Sequence, residues 1–221
     1  MLETKTLLDL SHTAAAEYLE KFTHPWEALA GIKDEILRLG ASLDKNEYTE
    51  ISENVWVHNT AKVAPTAFIG APCIIGKDTE IRHCAFIRGS ALIGEGCVIG
   101  NSVEIKNAII FDSAQVPHFN YVGDSILGYK AHMGAGSVTS NVKQDKSPVT
   151  VRTEIMKIET GLKKFGAIIG DNAEIGCNSV LNPGSVIGRG ARIYPLSSVR
   201  GFVHESIIYK GNGKVAKIQA R

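Results

Sequence analysis

Glu104, Lys106, His118 and Tyr121 stand close together in this chain of 221 residues, and side chains of these types can move a proton beside an anion. An imidazole titrates near neutrality and can take a proton from a nucleophile. A carboxylate such as Glu104 can hold that imidazole in one tautomer where the two meet in space. Arg88 lies 18 residues before Lys106. If that interval is one turn of the fold, the two cations stack in adjacent turns and repel unless an anion lies between or above them. A phosphate suits the place, since Arg offers a fork and Lys a mobile point charge. The other histidines (His12, His24, His58, His83, His132, His204) lack such company and are read as incidental.

The rest of the chain describes such a turn. From Val57 an aliphatic residue recurs every sixth position through Val63, Ile69, Ile75, Ile81, Ile87, Ile93, Ile99 and Ile105. A small residue follows four places later, as at Ala61, Ala67, Cys73, Thr79, Ala85, Ala91 and Cys97. The rhythm resumes out of step at Leu127 and Met133 and holds through Ile169, Ile175, Leu181, Ile187, Ile193 and Val199. A period of six fits neither a helix nor simple strand alternation. It fits a solenoid of short strands and turns, with one large and one small side chain per hexad pointing inward. The spacing therefore predicts an all-β, parallel β-helix with three hexads per turn.

Two interruptions break the rhythm. A phase slip between Phe111 and Leu127 brackets the stretch PHFNYVGDS. A second break, about 142–165, spans a multiple of six, so the chain can leave the spiral and re-enter in register. It is expected to project as a loop, its apolar residues packing on a neighbouring subunit and its cations favouring anionic ligands. Residues 1–50 have a different texture. Helical spacing runs from Pro25-Trp26 through Leu29, Ile32 and Ile36 to a stop near Gly40, and predicts a helical cap over the open end of the spiral. The β-helix is assigned to 51–204 and a polar tail to 205–221.

A net charge of +1 points to neither nucleic acid nor membrane as a partner. No apolar run approaches the roughly 20 residues a spanning helix needs, and MLETKTLLDL lacks the pattern of a secretory signal. A cytoplasmic protein is the expectation. Of the four cysteines, Cys73 and Cys97 fill small-row positions, and no CxxC or histidine pairing suggests a disulfide or metal.

These repeats resemble the hexapeptide-repeat superfamily, which implies a single-stranded left-handed parallel β-helix. The run from Phe86 to Asn141 carries a closer resemblance. Arg88-Gly89-Ser90, Gly100-Asn101-Ser102-Val103-Glu104-Ile105-Lys106, His118-Phe119-Asn120-Tyr121-Val122-Gly123-Asp124 and Met133-Gly134-Ala135-Gly136-Ser137, then Asn141, are similar without a gap to a known family. That family is the acetyltransferase domain of the bifunctional N-acetylglucosamine-1-phosphate uridylyltransferase/glucosamine-1-phosphate acetyltransferase. Lys164-Phe165-Gly166 through Gly170-Asp171 extends the match, and Pro25 to Leu29 looks like the linker that follows the catalytic domain of sugar-phosphate nucleotidyltransferases.

The resemblance implies acetyl transfer from acetyl-CoA to the amine of an amino-sugar 1-phosphate, glucosamine 1-phosphate first, by a homotrimer and without a metal. It makes His118 the general base, with Glu104 supporting it and Asn141 orienting the amine. Arg88, Lys106, Tyr121 and Lys164 would hold the sugar phosphate. The Ala135 N–H would face the thioester oxygen. Cys177 and Tyr194 would line the coenzyme groove. The chain departs from the family in its longer loop after Asn141, in His132, Cys177 and the bulky Tyr194, and in lacking a uridylyltransferase half, so uridylyl transfer is not expected. The competing reading is a non-catalytic β-helix that binds a sugar phosphate or nucleotide sugar. A β-helical carbonic anhydrase is not supported, since its His-x-x-x-x-His pair is absent.

Overall fold

The computed structural model describes residues 1–218 and forms a β-solenoid of about nine turns with an N-terminal helical segment. Parallel strands, most of two to four residues, stack into three faces. The first face contains Val55–His58, Cys73–Ile75, Ala91–Ile93, Ala167–Ile169, Ser185–Ile187 and Phe202–Val203. The second runs from Lys62–Val63 through Val98–Asn101, Gln115–His118 and His132–Met133 to Ile207–Tyr209. The third holds Phe68–Ile69, Phe86–Ile87, Val138–Thr139, Val180–Leu181 and Ser198–Val199. Between them lies one continuous core in which the aliphatic row (Ile75, Ile93, Ile105, Ile169, Ile187) interdigitates with the small row (Cys73, Ala91, Val103, Ala173, Ala191).

The phase slip has a specific structural form. Glu104 pairs with Phe86, one turn of 18 residues earlier, but Ala108 pairs with Ala91, a turn of 17. The corner Lys106-Asn107 is one residue shorter than Arg88-Gly89-Ser90, and Gly123-Asp124 repeats the shortening. Two deletions of one residue put the hexads four out of step. Both strands run unbroken around the shortened corners, as Glu104–Ile110 and Tyr121–Leu127. The slip thus starts earlier than the Phe111–Leu127 interval that the rhythm indicated. Ile110 takes the inward place and Phe111 turns out into a second apolar cluster.

That second cluster corrects the expected end cap. The helical segment lies along the flank of the first face, against its outward residues Ile74, Leu92, Ile109, Ile126, Ile168 and Val186. Each such aliphatic side chain, buried, contributes about 1.5–3 kcal/mol, so this cover is part of the folding unit. Pro25 does open a helical turn, Pro25–Gly31, and the helix Ile32–Ser42 follows. Gly40 is a seat rather than a stop: a Cβ there would lie 2.3 Å from the Trp56 ring. The strand Tyr48–Ser52 then joins the spiral antiparallel to Val55–His58.

The other two boundaries also differ from expectation. The segment between Thr139 and Ala167 does not simply project. It folds into an antiparallel hairpin, Thr150–Arg152 with Lys157–Glu159, whose Val149 and Val151 are fully buried. The tail continues the second face at Ile207–Tyr209 and adds an antiparallel strand, Val215–Lys217. Among the described residues no helix is long and apolar enough to cross a membrane.

Candidate active site

Each passage from the third face to the next turn of the first makes a corner, and these corners stack into an edge carrying Arg88, Lys106, Asp124, Asn141, Asn182 and Arg200. Arg88 and Lys106 occupy adjacent turns, as the spacing predicted. The anion that relieves their repulsion is the protein's own. The Arg88 Nη1 donates to Glu104 Oε1 at 2.8 Å, and the Lys106 Nζ donates to both Asp124 oxygens at 3.0 and 3.2 Å. Asp124 is 4% exposed. Its oxygens also accept from the Nδ2 of Asn107, at 3.0 Å, and from that of Asn141. Asn107 Nδ2 further donates to the Leu29 carbonyl at 3.2 Å, which ties the helical flank to this edge. Asn141 Nδ2 reaches the Tyr121 hydroxyl at 3.1 Å. Burial, then the charges of Asp124 and Glu104, push the Tyr121 phenol above its ordinary range and keep it neutral. Phe165 N–H donates to the Asn141 carbonyl at 3.0 Å, which brings the exposed Lys164 to the rim of the cluster.

The opposite edge of the third face, where the second face turns into it, is built differently. His83, Asn101, His118, Ala135 and Cys177 succeed one another there from turn to turn. His118 pairs with Asn101, its carbonyl accepts from Gly136 N–H at 3.0 Å, and the Ala135 carbonyl accepts from Asn178 N–H at 2.8 Å. The imidazole of His118 is exposed and has no hydrogen-bond partner among the described residues; its own backbone N–H donates to Asn120 Oδ1 at 3.0 Å. Asn120 is 3% exposed and its amide donates to the Gly134 and Ser137 carbonyls, so a buried amide fixes the corner that carries the imidazole. The Ala135 N–H, one turn on, takes no hydrogen bond among the described residues. Cys177 and Tyr194 continue the edge, with Lys210 Nζ 5.9 Å from the Tyr194 ring centre.

The candidate residues thus form two groups. Arg88, Glu104, Lys106, Tyr121, Asn141 and Lys164 gather on the basic edge, and His118, Ala135, Cys177 and Tyr194 on the histidine edge. Glu104 does not support His118 within the chain. It stacks in register with Tyr121, three residues beyond His118, and its carboxylate is engaged by Arg88. Asn141 is likewise committed to Asp124 and Tyr121. Asp124 and Asn120 had no role in the sequence reading. Asp124 follows Lys106 by the same 18 residues that separate Lys106 from Arg88, and Asn120 is a large amide in the small inward row.

Repeat, faces and corner chemistry together define a class, and comparison with known proteins agrees. Residues 166–201 match the family described as bacterial transferase hexapeptide (six repeats), and residues 72–163 match the GMPPB C-terminal domain. Over these stretches the chain is similar to hexapeptide-repeat transferases. Bifunctional protein GlmU of Methanococcus vannielii is 31% identical over 205 residues, 90% of this chain and 49% of that protein. The bifunctional sugar-1-phosphate nucleotidylyltransferase/acetyltransferase of Sulfurisphaera tokodaii is 38% identical over 88 residues, 40% of this chain and 22% of that one. The chain spans about half the length, or less, of these curated relatives. A solved perosamine N-acetyltransferase from Caulobacter crescentus, in complex with CoA and GDP-perosamine, is 18% identical, with a TM-score of 0.36 over 73% of this chain and 56% of that one.

Proposed function

We propose that the protein is an acetyl-CoA-dependent N-acetyltransferase whose acceptor is an amino-sugar 1-phosphate, glucosamine 1-phosphate first, and that it works as a homotrimer. The observation that carries this reading is the pairing on the histidine edge: an exposed imidazole without a hydrogen-bond partner among the described residues, one turn from a corner N–H that is likewise unbonded among them. The neutral amine attacks the thioester carbonyl carbon and passes its proton to His118. Negative charge develops on the carbonyl oxygen, where the Ala135 N–H donates to it. The C–S bond then breaks, and the departing thiolate takes the proton from the imidazolium, leaving an amide and CoA. A general base contributes about 10²- to 10⁴-fold, and holding the two reactants together contributes more.

The acceptor belongs to the basic edge. There Asn141, with Asp124 behind it, presents its amide near the Tyr121 hydroxyl, and the exposed Lys164 can meet a phosphate. Arg88 can turn to a phosphate from Glu104, since that pair is solvent-exposed and weakly held. Base and acceptor groups lie on opposite edges of one face, so a complete site needs the histidine edge of a second copy beside the basic edge of the first. Phe68, Phe86 and Val180 on the third face, 59%, 43% and 36% exposed, are apolar surface that such a neighbour would cover. Three copies is the number the resemblance implies. Acetyl-CoA would lie along Ala135, Cys177 and Tyr194.

The bulky, exposed Tyr194 on the edge where coenzyme A would lie favours one other reading, a β-helix that binds sugar phosphates or nucleotide sugars without catalysis. Release of CoA from acetyl-CoA in the presence of glucosamine 1-phosphate and other amino-sugar phosphates separates the two. Acceptor-dependent release supports the transferase, and acetyl-CoA that neither binds nor turns over rules it out.

A further inference from the structure

Arg152 and Arg200 meet where the inserted hairpin lies back on the basic edge. The hairpin strand is seated on two corner glycines. A Cβ on Gly184 would come 2.7 Å from the Thr150 carbonyl oxygen, and one on Gly201 2.6 Å from that of Arg152. Both glycines have positive φ, +80° and +75°, so neither corner accepts an ordinary side chain without strain. With Val149 and Val151 buried in the flank cluster, the hairpin is a fixed wall. Between this wall and the edge lies a cavity of about 660 Å³, lined among others by Ser140, Lys143, Arg152, Asn182, Arg200 and Phe202.

The charge in this cavity differs from that two and three turns before it begins. Arg88 and Lys106 are neutralised by Glu104 and Asp124. Lys143 has Asp145 at 3.7 Å. Arg152 and Arg200 join no ion pair among the described residues, although Glu154 also lines the cavity. Asp145 lines the cavity as well, so three cations face two carboxylates there, and two guanidinium forks on adjoining backbones that join no ion pair among the described residues suit a group with several anionic oxygens. The volume falls within the range of small-molecule sites, about 300–1,000 Å³, and leaves room beyond a diphosphate. Val142, Pro183 and the half-buried Phe202 ring supply an apolar wall on which a base can lie. The cavity begins at Ser140, next to Asn141, and runs two turns to Arg200. At roughly 4.8 Å per turn that is about 10 Å beyond the sugar subsite.

We infer that this cavity binds a nucleoside diphosphate, and that it receives the diphosphate and nucleoside of an acceptor in which the amino sugar is nucleotide-activated. The inference rests on the transferase reading above and extends its acceptor from a sugar 1-phosphate to the nucleoside-diphosphate ester of the same sugar. The same chemistry could arrive as the adenosine diphosphate end of CoA, so the test carries both.

Calorimetric titration of the full chain with UDP, dTDP, GDP, ADP and CoA, repeated for Arg152→Gln and Arg200→Gln, decides the matter. At least one 5′-diphosphate should bind the native protein, and each variant should weaken it about ten- to a hundredfold, the worth of one charge-assisted contact. Native protein that binds none of the four, variants that bind as the native chain does, or a loss confined to CoA would each overturn the assignment. Parallel assay of the native protein with glucosamine 1-phosphate keeps the failures apart. Turnover without diphosphate binding defeats the cavity alone, whereas diphosphate binding without acetyl-CoA binding defeats the transferase reading alone.

Discussion

The two edges of the third face are made by the same repeat yet hold their polar groups in opposite ways. On the basic edge Lys106, Asp124, Asn107, Asn141 and Tyr121 are bound to one another, and Arg88 to Glu104. On the histidine edge the groups that could react, the His118 imidazole and the Ala135 N–H, have no hydrogen-bond partner among the described residues, and the bonding lies one layer beneath them in Asn120. The difference separates two tasks. A group that positions a ligand gains from being fixed before the ligand arrives, and a group that takes a proton or meets developing charge must stay available for it.

Breaking the histidine edge should have the largest effect. His118→Ala is expected to lower acetyl transfer by about 10²- to 10⁴-fold while sugar-phosphate affinity, read by calorimetry, stays near that of the native chain. Undiminished turnover would remove His118 from the chemistry. Breaking the basic edge at its centre should instead cost folding. Asp124→Ala removes the acceptor shared by Lys106, Asn107 and Asn141; loss of one member of a fully buried pair costs about 3–5 kcal/mol, and the quarter-exposed Lys106 places this loss below that range. A thermal midpoint unchanged from the native chain would show that Asp124 is not the keystone described here.

A smaller change should follow at the exposed pair. Arg88→Ala is expected to weaken the phosphorylated acceptor by about 1.5–3 kcal/mol, one charge-assisted contact, and to leave the thermal midpoint almost unmoved. A variant that binds the phosphorylated sugar as tightly as the native chain does would make Arg88 purely structural. The mildest test uses the cysteines. Burial raises the Cys97 thiol to about 12 and raises Cys73 as well, so neither should react near neutral pH. Cys84 and Cys177 are exposed, both on the histidine edge. Alkylation should mark those two, and acetyl-CoA should slow the reaction at Cys177 and spare Cys84. Protection of both or neither would move the coenzyme away from Tyr194.

The spiral was legible because an inward row every six residues is a geometric demand that each hexad states again. The place of the slip was less so, since Ile110 and Phe111 are both apolar and only the shortened corners decide which turns in. The helical segment was expected at an open end because a bare strand edge needs cover. The outward middle residues of Cys73-Ile74-Ile75, Ala91-Leu92-Ile93 and Ala167-Ile168-Ile169 pointed instead to a covered flank. The candidate residues were named by type and resemblance, neither of which gave their grouping on two edges. Closeness along the chain joined Glu104 to His118, whereas the turn of the spiral sends them to different edges. The 18-residue interval that stacked Arg88 on Lys106 also reaches Asp124, the group that organises that edge.

The central claim is that a working site combines the histidine edge of one copy with the basic edge of another. Mixing His118→Ala with Asn141→Ala, after mild dissociation and reassembly, tests it most directly. Each variant alone should be nearly inactive, and the mixed oligomer should regain acetyl transfer to glucosamine 1-phosphate wherever an intact histidine edge meets an intact basic edge. A mixture as inactive as its two components, with subunit exchange demonstrated by mass, would contradict the account.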